Sequence, residues 1–171
     1  HPHHRRGVIT LEELLRSRED RVSHQADLLG ANPGKSLLCL TVQLPGPEKR
    51  TPDSLAIGKA GLEALRAAFP CGEPEVRDLE TGFEAYLLTN LPPLEAKRIA
   101  CRIEDTHPLG RLMDIDVIVN GAPVSRSEIG LEPRRCLLCD NEARYCMRAR
   151  THTTGELLEK ISRMVGVYTK M

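Results

Sequence analysis

The 171-residue chain has no tryptophan, two phenylalanines and three tyrosines. So few aromatics provide no stacking platform for single-stranded nucleic acid. It has no net charge either, because 24 lysines and arginines balance 24 aspartates and glutamates. That balance removes the long-range argument for nucleic acid or an anionic membrane as partner, so any electrostatic message is local. No apolar run approaches the roughly 20 residues of a membrane helix, and the opening HPHHRRGVITLEELL lacks the small-residue cleavage site of a secretory signal. The expectation is a soluble, cytoplasmic protein with no membrane and no nucleic acid as partner. Internal repeats and low-complexity segments are absent.

What is present fits one domain, 1–171, because two independent cores would be cramped at this length. His1, His3 and His4 read as a processing remnant, and residues 1–6 are set aside from the reading of the fold. Three segments are expected: a helical one (1–30), a sheet core (36–131) and a Cys/Arg-rich helical appendage (132–171). Thr10 followed by Glu13 is a capping box, and Leu11, Leu14, Leu15, Val22, Ala26 and Leu29 recur at helical spacing over about 18 residues. SLLCLTVQL (Ser36–Leu44) reads as a buried strand. A helix follows from Asp53 to Phe69, where Gly58 and Gly61 permit close packing on a sheet. Thr81-Gly82 marks a hairpin turn, and a further helix begins at Pro92-Pro93 and stops before Pro108. RLMDIDVIVN is a strand, VSRSEI a candidate partner strand, and Thr154 to Val165 a last helix. Together these predict an α/β or α+β domain, a mixed sheet flanked by helices, with a Cys-rich helical C-terminal segment.

The strand DIDVIV carries Asp114 and Asp116 on one face and Ile115, Val117 and Val119 on the other. Neighbouring carboxylates repel, and a partly buried pair needs a cation or takes up a proton. Mg²⁺ is one resolution, because it favours one or two carboxylates completed by phosphate oxygens. An exposed strand face, or pairing with arginines, is the other. The turn PLGR precedes the strand, with Gly110 able to admit a ligand to the backbone and Arg111 placed to meet an anion.

Six cysteines suggest reduced thiols or a metal rather than a disulfide framework at this size. Cys136 and Cys139 form C-x-x-C, followed by Cys146 and His152, a ligand set suited to structural Zn²⁺. Buried apolar thiols and a redox pair are the competing readings. Cys39, Cys71 and Cys101 are isolated and read as packing residues.

The blocks LLRSREDR (Leu14–Arg21), PGPEK (Pro45–Lys49), HPLGRLMDIDV (His107–Val117) and RRCLLC with a third cysteine and TH (Arg134–His152) resemble, in this order, the apo-citrate lyase phosphoribosyl-dephospho-CoA transferase family, also called citrate lyase holo-acyl-carrier-protein synthases. The resemblance implies transfer from 2'-(5''-triphosphoribosyl)-3'-dephospho-CoA to a serine of the citrate lyase acyl carrier subunit, with pyrophosphate leaving. It also implies a nucleotidyltransferase-like site in which Asp114 and Asp116 are catalytic and hold Mg²⁺. Glu84 and Glu104 are guesses for a third ligand. Gly110, Arg111, His107, Arg134, Arg135, Lys49 and Arg18 are then candidates for binding substrate, the arginines because a guanidinium fork matches phosphate oxygens. A zinc-stapled loop would orient Arg134, Arg135, Arg144, Arg148 and Arg150 into a local basic surface for an acidic carrier. Two other readings stand beside this one. The chain is a non-enzymatic zinc-containing adaptor for an acidic protein or RNA, or it performs the same chemistry on another carrier, such as that of malonate decarboxylase.

Overall fold

Thr10 begins α1 (Leu11–Ala31) with a full capping box: the Glu13 amide donates to the Thr10 hydroxyl and the Thr10 amide to the Glu13 carboxylate, each at 3.1 Å. The structure, a computed structural model, describes residues 7–70 and 72–171, so the N-terminal histidines and Cys71 lie outside it. After α1 comes β1 (Ser36–Val42), buried along its whole length as its apolar run requires. Thr51 and Ser54 cap α2 (Pro52–Ala68). β2 (Glu75–Leu79) and β3 (Gly82–Thr89) make the expected hairpin, and α3 (Pro93–Thr106) starts at the expected prolines. A 3-10 turn at Gly110–Leu112 leads into β4 (Asp114–Val119) and the short β5 (Ala122–Pro123). The C-terminal segment holds α4 (Ala143–Ala149) and α5 (Thr154–Thr169).

The five strands lie in the order β2-β3-β1-β4-β5, and every pairing is antiparallel. The expected sheet flanked by helices is therefore present and of the α+β kind, though wholly antiparallel rather than mixed. β1 sits at its centre, which explains why SLLCLTV is apolar on both faces. On one face Leu38, Leu40, Val42, Phe83, Ala85, Ile115 and Val117 join the main core with residues of α2, α3 and α5. Gly58 and Gly61 do allow close packing there, since a Cβ at either would stand 2.6 Å from the Phe83 ring or 2.7 Å from a Leu40 methyl.

Two expectations need correcting. VSRSEI is not a strand: only Ala122–Pro123 pairs with β4, and Arg126–Ile129 forms a 3-10 turn. The Ser125 amide finds the Glu128 carboxylate at 2.6 Å, and Gly130 closes the turn with φ +75°, so these backbone groups are satisfied locally. The apolar stripe of α1 is also not its buried side. Leu11, Leu15 and Val22 are exposed, whereas Ser17 and Gln25 are the buried residues. Only Leu28 and Leu29 pack on the small second cluster of Leu37, Cys39, Tyr86 and Ile118. The reason lies beneath the helix, where the sheet presents charge.

Candidate functional site between helix α1 and the sheet

The register builds the site. Asp114 faces Thr41 and Asp116 faces Cys39 across the β1–β4 pairing, while Thr41 faces Glu84 and Cys39 faces Tyr86 across β1–β3. Side chains alternate along each strand, so Asp114, Thr41 and Glu84 form one row on the α1 side and Asp116, Cys39 and Tyr86 the next. The two aspartates share a face, as the D-x-D spacing predicts. A helix laid over three carboxylates must offer polar groups, and α1 offers Ser17, Arg21 and Gln25 at intervals of four residues.

Glu84 is buried, accepts the Tyr86 hydroxyl at 2.6 Å and lies 3.7 Å from an Arg21 guanidinium nitrogen. Its hydrogen bond and charge, after burial itself, push the Tyr86 phenol well above its ordinary range. Burial likewise pushes the Cys39 thiol up to about 12, so it is a neutral spacer. Asp116 is half-buried; desolvation first and the Asp114 charge second raise its proton affinity, with Lys97 and Arg21 opposing. Asp114 is the outer member, 63% exposed, and accepts from Arg134 Nη1 at 3.0 Å. An arginine thus serves Asp114, while at Asp116 burial and the Asp114 charge outweigh Lys97 and Arg21.

Cations act on this acidic pair, Arg21 and Lys97 on Asp116 and Arg134 on Asp114. Lys49 donates to the Leu44 carbonyl oxygen; burial and then the nearby Arg18 charge lower its proton affinity. Arg18, on the exposed side of α1, and Lys49, both expected from sequence to bind substrate, therefore lie near one another. Arg21 and the buried Lys97 of α3 are additional members that sequence reasoning missed. The spacing of Arg21 from Ser17 and Gln25 was a usable signal, hidden behind the apolar stripe. Lys97 carried none, because only the packing of α3 against β4 brings it near Asp116.

The remaining candidates divide. Arg134 is fastened to protein: Nη1 donates to the Met113 carbonyl at 2.7 Å as well as to Asp114, and Nη2 donates to the carbonyls of Gly110 and Arg111 at 3.0 and 2.9 Å. Its role here is to staple the turn before β4, not to present a free fork. Arg111 donates from Nε to the Arg135 carbonyl at 2.8 Å, and burial followed by the Arg134 charge lowers its proton affinity. Arg135 is exposed and reaches the Asp140 carbonyl at 3.2 Å. His107 lies elsewhere, its ring 5.4 Å from that of Tyr168 in α5 on the opposite side of the sheet, with Nδ1 accepting the Leu109 amide at 2.9 Å. It shapes the turn. Gly110 is small for a different reason from the one expected: a Cβ there would collide with the backbone oxygens of Ile103 and Glu104 in α3.

Glu104, one of the two guesses for a third ligand, faces the edge of β4 rather than the aspartates. Its carboxylate accepts the Ile115 amide at 2.7 Å and Arg126 Nη2 at 2.7 Å. Glu84, the other, is engaged by Tyr86 and Arg21. Among the described residues the only Cys/His/Asp/Glu group with metal-ligand proximity is Cys136, Cys139, Cys146 and His152, whose ligand atoms all lie within 4.8 Å of one another. There the Asn141 backbone, then His152, draws the Cys139 thiol down to about 6, while burial pushes Cys146 up to about 11. Cys39 and Cys101 are buried packing residues, as expected.

Fold and site together define an α+β protein with an acidic pair set among cations in the layer between a helix and an antiparallel sheet. The chain belongs to the apo-citrate lyase phosphoribosyl-dephospho-CoA transferase family, whose profile matches residues 9–168. A relative from Streptococcus pyogenes serotype M18, named a probable apo-citrate lyase phosphoribosyl-dephospho-CoA transferase, is 38% identical over 165 residues, covering 92% of this chain and 86% of the relative. A Vibrio cholerae serotype O1 protein of the same name is 36% identical over 176 residues, covering 98% and 97%. Among the described residues no helix is long and apolar enough to cross a membrane.

Proposed function

We propose that this chain transfers the phosphoribosyl-dephospho-CoA group of 2'-(5''-triphosphoribosyl)-3'-dephospho-CoA to a serine of the citrate lyase acyl carrier subunit, as a nucleotidyltransferase. The observation that carries this is the pair Asp114 and Asp116 on one face of β4, with Arg21 and Lys97 acting on Asp116 and Arg134 on Asp114. The serine oxygen bonds to the phosphorus attached to the ribose, the bond from that phosphorus to the bridging oxygen breaks, pyrophosphate leaves, and the serine proton passes to solvent.

The two carboxylates fit Mg²⁺. Asp116 is half-buried beside a like charge, and Asp114 opens to solvent where donor phosphates could complete the coordination. When bound, the ion supplies charge neutralisation to the reacting phosphate. Arg18, Lys49 and Arg111 bind the outer phosphates and the leaving pyrophosphate. Arg134, anchored on four acceptors, holds Asp114 and the Gly110 turn in place. A groove of about 440 Å³ between α1 and β4, lined by Val22, Gln25, Ala26, Leu29, Ile118 and Asn120, continues along the same face beyond Asp116. Val22 of the exposed apolar stripe of α1 lines it, and the dephospho-CoA arm lies there. The test is a mass shift of apo-carrier incubated with donor, Mg²⁺ and this protein. An unmodified citrate lyase carrier alongside a modified malonate decarboxylase carrier would reassign the partner, and no modification of either would remove the reading.

The carrier docks on α4. Arg144, Arg148 and Arg150 are exposed there beside Tyr145 and Met147, themselves 59% and 78% exposed. Such a patch suits the acidic surface common to acyl carriers. The double variant Arg144→Glu/Arg148→Glu is expected to raise KM for the carrier roughly tenfold with kcat little changed, and wild-type kcat/KM should fall as salt rises. Equal kinetics for variant and wild type would place the docking surface elsewhere.

A further inference from the structure

The C-terminal segment makes a knuckle that the transfer chemistry does not use. Arg135 and Glu142 form an isolated antiparallel bridge, the Cys136 amide donates to the Asn141 carbonyl at 2.7 Å, and the Ala143 amide donates to the Arg134 carbonyl at 2.8 Å. This tight hairpin brings Cys136 and Cys139 together, with the Leu138 amide donating to Cys136 Sγ at 3.4 Å. Cys146, buried in α4, faces them, and Cys139 Sγ and Cys146 Sγ are 3.4 Å apart. The chain leaves α4 through Arg150 in the left-handed region, φ +52°, and turns back to deliver His152 just before the Thr153 cap of α5.

One atom there is unsatisfied. His152 Nε2 is buried with no hydrogen-bond partner, the only such side-chain atom among the described residues. A buried imidazole nitrogen without a partner is costly unless something not made of protein meets it. The sulfur separation excludes a disulfide, whose bond is about 2.05 Å. It lies close to the roughly 3.8 Å between sulfurs bound to one tetrahedral zinc at about 2.3 Å each. Three thiols and one imidazole complete four-coordination, so no position is left for water or substrate and the site is structural.

We propose that Cys136, Cys139, Cys146 and His152 hold one zinc ion, and that this ion fixes Arg134 over the turn that carries Asp114. Arg134 sits two residues before the first ligand, and its carbonyl is part of the same hairpin. Its side chain grips Gly110, Arg111, Met113 and Asp114. Residues 132–153 bury little else beyond Leu137 and Cys146, so the metal supplies the rigidity that a core of this size lacks. Zinc occupancy is thereby coupled to the placement of Asp114. The proposal stands apart from the transferase reading, because its readouts need neither donor nor carrier.

Protein purified under reducing conditions is expected to carry one zinc per chain by elemental analysis. Cobalt exchanged into the site should show thiolate charge-transfer and tetrahedral visible bands. Cys139→Ser and His152→Ala should each lose the metal or weaken its binding at least tenfold. Chelating the zinc should speed amide exchange in residues 134–146 and also in residues 110–114. Arg134→Ala should keep the zinc yet show the same faster exchange at 110–114. Metal-free protein without a cobalt spectrum would overturn the site. Unchanged exchange at 110–114 after zinc removal, or slow exchange there in Arg134→Ala, would overturn the coupling.

Discussion

Asp116→Asn is expected to lower prosthetic-group transfer by about a hundredfold or more while making the resting protein more stable. The carboxylate is half-buried between Cys39 and the charge of Asp114, and desolvation followed by that charge raises its proton affinity. A group that binds its proton more tightly when folded than when unfolded favours the folded state at low pH. Wild-type stability should therefore fall as pH climbs through the window between the ordinary aspartate value and the raised one. Asparagine has no charge to bury, so the variant should lack this loss and melt higher than wild type at neutral pH. Activity goes the other way, because losing one preorganised group at a reacting phosphate costs on the order of 10²–10³ in rate. Asp114→Asn should match the rate loss without the stability gain, since its carboxylate is exposed and already paired with Arg134. Carrier mass shift and thermal melts across pH measure both. Near-normal transfer by either variant would take that aspartate out of the chemistry.

Glu104→Ala should be the most destabilising single change near the site. The carboxylate is 6% exposed, accepts the Ile115 amide and Arg126 at 2.7 Å each, and lies 3.6 Å from Arg134. Alanine leaves the Ile115 amide on the edge of β4 without its acceptor and Arg126 with Asp105 alone, and breaking a buried pair from one side typically costs about 3–5 kcal/mol. For a chain of this length that is a melting temperature roughly 10 °C lower. Glu104→Gln keeps an acceptor for Ile115 and should recover part of the loss. Chemical denaturation of the three proteins checks this, and an alanine variant within about 1 kcal/mol of wild type would show that β4 is held by its pairing with β1 alone.

Features decided by a few neighbouring residues were legible in advance. The Thr10/Glu13 box, the hairpin at Thr81-Gly82 and the one-sided placement of Asp114 and Asp116 all depend on local geometry of helix, turn or strand. The Cys136, Cys139, Cys146 and His152 cluster was legible too, because ligand types and spacing are local. The burial side of α1 was not. Its leucines spell an amphipathic helix, yet Ser17, Arg21 and Gln25 turn inward because the opposing strands carry carboxylates. The role of Arg134 was equally hidden, since a guanidinium 20 residues downstream of Asp114 looks the same in sequence whether it awaits a phosphate or staples a turn.

By itself the sequence determined the helices and most of the strands, the shared face of the aspartate pair, the Cys/His cluster and the family, all of which follow from short-range periodicity or from motifs in fixed order. Tertiary structure alone decided that β1 lies at the centre, that α1 covers the acidic face, that Arg21 and Lys97 join the site, and that Glu104 and Arg134 brace it. Those outcomes depend on which surfaces far apart in the chain meet, and a buried charge selects its partner only after packing has removed the water between them.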